Sequence, residues 1–199
     1  MTTATAWVAL PLMSDLSQLP DDLPAPIDDG ASDHLLGLKV PPVELADASG
    51  GSVRLDDFPT RWLVLYVYPR TGGPGIDLPD DWDLIPGARG CTPQSCAFRD
   101  HHAELQELGA TVWGVSAQPL DEQREFAEHM HIPFPLLNDG ARALAEPPLA
   151  LPTFEASGLT LYRRLTMIAD AAGITRVFYP VFPPDGNAAD VVDLLRAFR

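Results

Sequence analysis

The chain has 199 residues, of which 46% are hydrophobic and 21% charged, and it carries a formal net charge of −15. This composition favours one globular domain with a buried core and argues against a wholly disordered protein. So acidic a surface repels phosphate backbones and anionic headgroups, and no run approaches the ~20 apolar residues of a membrane span. We therefore expect a cytoplasmic protein with neither a nucleic-acid nor a membrane partner.

The first part of the chain is rich in proline and aspartate. Residues 1–37 contain six Asp, no Lys and no Arg. Four prolines between positions 11 and 26 are too closely spaced for a long helix or a central strand. We predict an N-terminal extension over 1–37, either wrapped over the main domain or partly disordered, followed by one domain over 38–199.

The patterns from residue 42 onward alternate between strand and helix. Apolar alternation around Ser49-Gly-Gly51 predicts a β-hairpin, and the continuous apolar run 62–68 predicts a strand buried on both faces. Helical spacing favours one helix from the region of Pro93 to Leu108. The remaining predictions are strands over 111–115, 134–137, 161–169 and 175–181, and helices over 121–131 and 188–198. This order is typical of an α/β fold.

A long irregular loop separates the first buried strand from the first helix. Residues 70–90 contain three Pro and five Gly. Loops of this length in a compact domain are usually functional or disordered. The segment 72–89, which includes Trp82, is either a lid over a site, a surface loop or a contact with another subunit. In each case the loop delivers Cys91 to the start of a helix.

Cys91 and Cys96 are the only cysteines of the chain. In a reducing compartment such a pair is redox-active, metal-binding or incidental. A helix N-terminus stabilises a thiolate through its dipole and its free N–H groups, and Arg89 adds positive potential. These features make Cys91 the candidate nucleophile. A zinc site that adds His101 and His102 is disfavoured, because the spacing is unlike that of common zinc motifs.

The spacing of the two cysteines restricts how they could form a disulfide. On a continuous helix, five residues separate the side chains by about 140° around the axis and about 7.5 Å along it. A disulfide requires Cα atoms within about 7 Å and facing Cβ vectors. An intact helix therefore keeps the sulfurs apart, and a bond between them requires the first turn to unwind.

The segment Gly90-Cys-Thr-Pro-Gln-Ser-Cys-Ala-Phe-Arg-Asp100 resembles a known active-site motif. The motif is Pro-Gly-Cys-Thr-x-Glu-x-Cys-x-Phe-Arg-Asp of atypical two-cysteine peroxiredoxins of the bacterioferritin-comigratory (Q) type, in the alkyl hydroperoxide reductase/thiol-specific antioxidant superfamily. Four further stretches resemble the same family in the same order: 65–69, 108–116, 132–139 and 164–173. The resemblance covers roughly residues 38–198.

This resemblance implies a thioredoxin-like fold with an N-terminal β-hairpin and a central mixed sheet flanked by helices. It also implies a peroxidase cycle, in which Cys91 matches the peroxidatic cysteine and becomes a sulfenic acid. Cys96 matches the resolving cysteine, and Arg164 matches the arginine that supports the thiolate and holds the peroxide. A thioredoxin- or glutaredoxin-like reductant would restore both thiols. No metal or cofactor is implied, and the protein would be a monomer or a homodimer.

Two positions depart from the family pattern. Ala88 stands where the family carries Thr or Ser, and Thr71 is the candidate that supplies the missing hydroxyl from the far end of the loop. Gln94 replaces the usual Glu and removes a charge near the site. The absent hydroxyl also supports an alternative, a non-enzymatic redox sensor on the same fold, whose disulfide switches a conformation without turnover.

Overall fold

The computed structural model describes residues 19–20, 22–72, 78–79 and 81–198. Its strands are β1 Glu44–Asp47, β2 Ser52–Arg54, β3 Trp62–Val67, β4 Ala110–Ser116, β5 Leu136–Asn138, β6 Thr153–Ala156, β7 Leu159–Tyr162, β8 Leu165–Asp170 and β9 Gly173–Phe178. Its α-helices are α1 Cys91–Asp100, α2 His102–Glu107, α3 Leu120–Met130 and α4 Asn187–Arg196. Short 3-10 turns lie at Asp33–Leu35, Trp82–Leu84, Ala143–Ala145 and Pro184–Gly186.

Seven strands form one mixed sheet in the order β2-β1-β5-β4-β3-β8-β9, and β6 and β7 form a separate two-stranded sheet. The central strand β3 runs parallel to β4 and antiparallel to β8. Its six residues are all buried because both faces are covered. Tyr66 and Val64 point into the core beneath α1 and α4, whereas Leu63 and Leu65 point into a second core on the opposite face.

The main predictions of the fold are confirmed. The hairpin β1-β2, the buried strands β3 and β4 and the mixed sheet with flanking helices are all present. The loop that leaves the carboxyl end of β3 is held to the neighbouring strand, since Ser116 Oγ donates a hydrogen bond to the carbonyl of Pro69 at 2.8 Å. Topology therefore places the start of α1 at the carboxyl edge of the parallel strands.

Two element predictions are wrong. The single helix predicted to reach Leu108 is interrupted at His101, whose ψ of 2° departs from the helical value of about −42°. The single strand predicted over 161–169 is also interrupted, at Arg163 and Arg164, because β7 pairs with β6 whereas β8 joins the main sheet. Arg164 is 3% exposed, so this interruption serves to turn a charged side chain inward.

The described part of the predicted extension lies against the domain. Leu35 is fully buried in the core on the face of β3 opposite α1. Backbone hydrogen bonds of 2.8 Å join Gly37 N to Ile174 O and Ile174 N to Leu38 O, and Tyr179 Oη donates to Asp29 at 2.8 Å. Asp29, Leu35 and Gly37 of the predicted extension therefore contact the domain. Residues 1–18 and 21 lie outside the described residues.

Candidate active site

Cys91 is the first residue of α1 and is 3% exposed. Gly90 precedes it with a φ of +103°, in the left-handed region that glycine adopts without strain. A Cβ on Gly90 would also lie 2.3 Å from Cγ of Pro184. Glycine is therefore required twice over at this position, for its conformation and for the close approach of the segment that leads into α4. The thiol is thereby fixed at the helix end where backbone N–H groups have no helical acceptor.

Arg164 reaches Cys91 from the link between β7 and β8. Its Nη2 lies 3.2 Å from Cys91 Sγ and 3.3, 3.1 and 3.1 Å from the carbonyl oxygens of Gly87, Ala88 and Arg89, and these acceptors share its two N–H groups. Arg163 points the other way, since its side chain is 43% exposed and pairs with Asp29. Of these two adjacent arginines, only Arg164 faces the site.

The guanidinium of Arg164 is held from its other side by Gln94, one helical turn after Cys91. Nη1 of Arg164 donates to Oε1 of Gln94. Nε2 of Gln94 donates to Oδ1 of Asn187 at 3.0 Å, and Thr166 Oγ1 donates to the same oxygen at 2.6 Å. The arginine is thus positioned by neutral partners, and no carboxylate is hydrogen-bonded to it within the described chain.

Two tyrosines of the β3 region lie beneath the cysteines. Tyr66 stacks on Phe98 with ring centroids 4.5 Å apart, and its hydroxyl donates to Ser95 Oγ at 3.1 Å. Burial raises the pKa of Tyr66 well above its ordinary value and also raises the pKa of Tyr68. Both phenols are therefore neutral at physiological pH, and the floor of the site adds no negative charge beside the thiol.

Cys96 lies on the same unbroken helix and is partly exposed. Both cysteines are free thiols. Burial raises the pKa of Cys96, the carboxylate of Asp100 adds to this effect, and the charge of Arg99 opposes it. The Cys96 thiol is therefore mostly protonated at neutral pH while α1 stays wound.

Thr71 is fully buried next to the site, and its partner is Gln118. Its backbone N–H donates to Gln118 Oε1 at 2.8 Å, and its hydroxyl exchanges hydrogen bonds of 3.2 and 3.0 Å with the same amide. The next residue, Gly72, lines a small cavity that Cys91 also lines. Thr71 thus anchors the start of the loop where that loop passes the thiol.

The predicted insert packs inward at Trp82. This residue is 3% exposed and lies among Ala88, Leu161 and Phe154 of the small β6-β7 sheet and its surroundings. Together with Arg89, which pairs with Asp83 at 3.2 Å, Trp82 lines the cavity at Cys91. That cavity measures about 10 Å³, room for about one water-sized group. Residues 73–77 and 80 of the insert lie outside the described residues.

No group of three or more His, Cys, Asp or Glu side chains among the described residues is arranged to hold a metal ion. Within the same residues, no helix is long and apolar enough to cross a bilayer. At the start of α1, the site places a thiol beside a guanidinium.

Sequence reasoning missed several members of the site. Asn187 and Thr166 carry no local signal, because Asn187 meets Gln94, and Thr166 meets Asn187, only in the folded chain. Gln118 was equally unmarked. Gln94 was noted only as a departure from a pattern, although its spacing of three residues from Cys91 places both on one helix face and could have indicated a shared partner.

The fold and site together define a class: a thioredoxin-fold protein whose buried thiol lies at a helix start against an arginine. Residues 84–176 match the model of the AhpC/TSA family. The chain is 36% identical over 111 residues to peroxiredoxin Bcp of Bacillus subtilis, which covers 56% of this chain and 61% of that relative. It is 30% identical over 165 residues to chloroplastic peroxiredoxin Q of Sedum lineare, which covers 82% of this chain and 78% of that relative.

Among solved structures, the chain is similar to peroxidoxin BcpB from Mycobacterium tuberculosis. The TM-score is 0.66 at 28% sequence identity, over 82% of this chain and 97% of that one. The chain belongs to the peroxiredoxin family, the thiol peroxidases of the AhpC/TSA family, and is similar to its Bcp and Q members. Family membership favours the predicted enzyme over the alternative of a redox sensor without turnover.

Proposed function

We propose that the chain reduces hydrogen peroxide or organic hydroperoxides with Cys91 as the peroxidatic nucleophile. The observation that carries this proposal is the contact of 3.2 Å between Arg164 Nη2 and Cys91 Sγ at the start of α1. A guanidinium at this distance stabilises a thiolate, which is the nucleophilic form of cysteine. Nε of Arg164 is buried and has no hydrogen-bond partner among the described residues.

The first step of the proposed cycle breaks the peroxide O–O bond. The thiolate sulfur of Cys91 attacks one oxygen, the electron pair of the O–O bond leaves with the other, and that oxygen takes up a proton to give water or an alcohol. Cys91 is oxidised to a sulfenic acid. Arg164 supports this step because its fork of donors can hold the sulfur and the peroxide together while negative charge moves to the leaving oxygen.

Cys96 is the proposed resolving cysteine. Its sulfur attacks the sulfenic acid sulfur of Cys91, a disulfide forms and water leaves. On the wound helix the two sulfurs are apart and the Cys96 thiol is mostly protonated, because burial raises its pKa. Unwinding the first turn of α1 relieves both restrictions, since it brings the sulfurs together and returns Cys96 to solvent.

A dithiol of the thioredoxin or glutaredoxin class completes the proposed cycle. One of its thiolates attacks the Cys91–Cys96 disulfide, the mixed disulfide is released by its second thiol, and the reductant leaves as a disulfide while both protein thiols are restored. The proposed enzyme acts in the cytoplasm, as a monomer or homodimer, and requires no bound metal or cofactor.

The resolving step is tested by Cys96→Ser. The variant should still react once with peroxide, but its turnover with thioredoxin should fall about tenfold or more, since an external thiol must replace one of high effective concentration. Turnover is measured as NADPH oxidation coupled through thioredoxin reductase, and the oxidised proteins are analysed by mass spectrometry. Wild type should lose two hydrogens as an internal disulfide, whereas the variant should carry a trappable sulfenic acid.

The same assay separates the proposed enzyme from a sensor. A Cys96→Ser variant that turns over at the wild-type rate would show that Cys96 does not resolve the sulfenic acid. A wild-type protein that forms its disulfide quickly but consumes no more than one equivalent of peroxide would act as a sensor. Continued consumption with the reductant supports the peroxidase.

Thr71 is the proposed source of the hydroxyl that position 88 lacks, and Thr71→Val tests this role. Loss of one hydrogen bond to a charged reaction centre should lower the second-order rate constant with hydrogen peroxide about tenfold. Thr111→Val is the matched control. Thr111 lies on β4 away from the cysteines, and its hydroxyl is hydrogen-bonded to that of Thr60. An unchanged rate in Thr71→Val would limit Thr71 to anchoring the loop through Gln118.

A further inference from the structure

A buried polar relay connects Arg164 to the C-terminal helix. Gln94, Thr166 and Asn187 are at most 1% exposed, and they belong to α1, β8 and α4 respectively. Polar side chains at such depth are stable only when they are hydrogen-bonded. Hydrogen bonds among these three side chains therefore join the three elements at one point. This point lies on the side of Arg164 opposite Cys91.

The hydrogen bonds of this relay are consistent with only one assignment of the amide donors and acceptors. Oδ1 of Asn187 accepts from Gln94 Nε2 at 3.0 Å and from Thr166 Oγ1 at 2.6 Å. Rotating the Asn187 amide would set its NH₂ group against the NH₂ group of Gln94, two donors without an acceptor. With Nε2 of Gln94 committed to Asn187, Oε1 must face Arg164, and Nη1 of Arg164 donates to it.

This arrangement provides Arg164 with a fixed neutral acceptor. A carboxylate at position 94 would offset the charge of the guanidinium, and it could be hydrogen-bonded by Asn187 only if that amide were rotated. The amide keeps the full positive charge while still fixing Nη1, so that Nη2 stays directed at Cys91 Sγ. The substitution of Gln for Glu and the presence of Asn187 are thus parts of one arrangement.

We infer that Asn187, itself held by Thr166, is a positioning residue that orients Gln94 and through it fixes Arg164 on the Cys91 thiolate. The inference rests on the proposed function of Cys91, and it adds a residue 96 positions away on a different element. Asn187 acts through Gln94 and touches neither the sulfur nor the peroxide in this role.

The test uses the Cys96→Ser background, in which Cys91 is the only thiol. The rate of its reaction with hydrogen peroxide is measured by stopped flow, and the ultraviolet absorbance of the thiolate is followed against pH. Asn187→Leu should lower the rate about tenfold and move the thiolate profile to higher pH, because Arg164 loses its fixed orientation. Thr166→Val should do the same to a smaller extent.

A double substitution decides whether Asn187 acts through Gln94. If it does, Asn187→Leu should add little to the effect of Gln94→Leu, because residues in one chain of contacts are not additive. Val191→Ala is the control, since Val191 is fully buried on the same helix and should lower stability without moving the pH profile. Effects that multiply in full, or an Asn187→Leu variant that differs from wild type only in thermal stability, as the control does, would overturn the inference.

Failure of the proposed function would be seen separately. If Cys91 in the Cys96→Ser protein does not react with peroxide, Cys91 is not the peroxidatic cysteine. The thiolate absorbance of the Asn187 and Gln94 variants still measures whether the relay acts on the sulfur, because that readout requires no turnover.

Discussion

Replacing Cys91 with Ser should abolish peroxide reduction, with a fall of roughly 10³-fold or more in the second-order rate constant. The serine hydroxyl is almost entirely protonated at neutral pH and is a far weaker nucleophile than a thiolate. The substitution removes one sulfur atom from a position at the start of α1 that is otherwise unchanged, so the fold should persist. Peroxide consumption with excess thioredoxin, thioredoxin reductase and NADPH measures the loss.

The Cys96→Ser variant is the matched control, because it also exchanges one thiol for a hydroxyl on the same helix. It should keep the first reaction with peroxide, whereas Cys91→Ser should show none. Activity of Cys91→Ser near the wild-type level would indicate that Cys96 is the nucleophile. It would contradict the proposed roles of both residues.

Arg164→Leu should lower the rate constant with hydrogen peroxide about 10- to 100-fold, since it removes a charge-assisted contact to the sulfur. It also removes the guanidinium contacts to the carbonyls of Gly87, Ala88 and Arg89, so the start of the helix should become less ordered. Arg164→Lys should recover only part of the rate, because an ammonium group cannot form a planar fork to several acceptors. The rate constant is measured by stopped flow, and stability is measured by urea unfolding.

The neighbouring Arg163→Leu variant is the control for charge. It removes one positive charge at the adjacent position, but its side chain faces solvent and pairs with Asp29. Its rate constant should stay close to that of wild type. Equal losses in the two variants would indicate that the general potential near the site matters and that the contact of Arg164 with Cys91 does not.

Hydrophobic patterns and loop composition were sufficient to predict the buried strand β3 and the start of α1. The run 62–68 is apolar at almost every position, which indicates a strand buried on both faces, and β3 lies inside the sheet between β4 and β8. The helix start at Cys91 followed from the loop composition and from Pro93, which is tolerated in a first turn. The position of the candidate nucleophile at a helix N-terminus was therefore available from neighbouring residues.

The misses have a common physical origin in tertiary pairing. The segment 161–169 is predicted as one strand, but residues 161 and 162 belong to β7, which pairs with β6 across a turn at Ser157 and Gly158, whose φ values are +49° and +77°. That Ser-Gly pair was a usable turn signal. The relay to Asn187 had no such signal, because Gln94 and Asn187 are 93 positions apart and neither stands out within its own helix.

The close approach of Pro184 to Gly90 has a consequence for the durability of the proposed catalyst. Pro184 packs against Gly90, and Asn187 accepts a hydrogen bond from Gln94. Both contacts stabilise the turn of α1 that must unwind before Cys96 can reach the sulfenic acid. If these contacts slow the unwinding of the turn, the sulfenic acid of Cys91 persists for longer. A second peroxide then oxidises it more often to the sulfinic acid, which thioredoxin does not reduce. Packing at the far end of the chain would thus set the number of cycles that a molecule completes before it is lost.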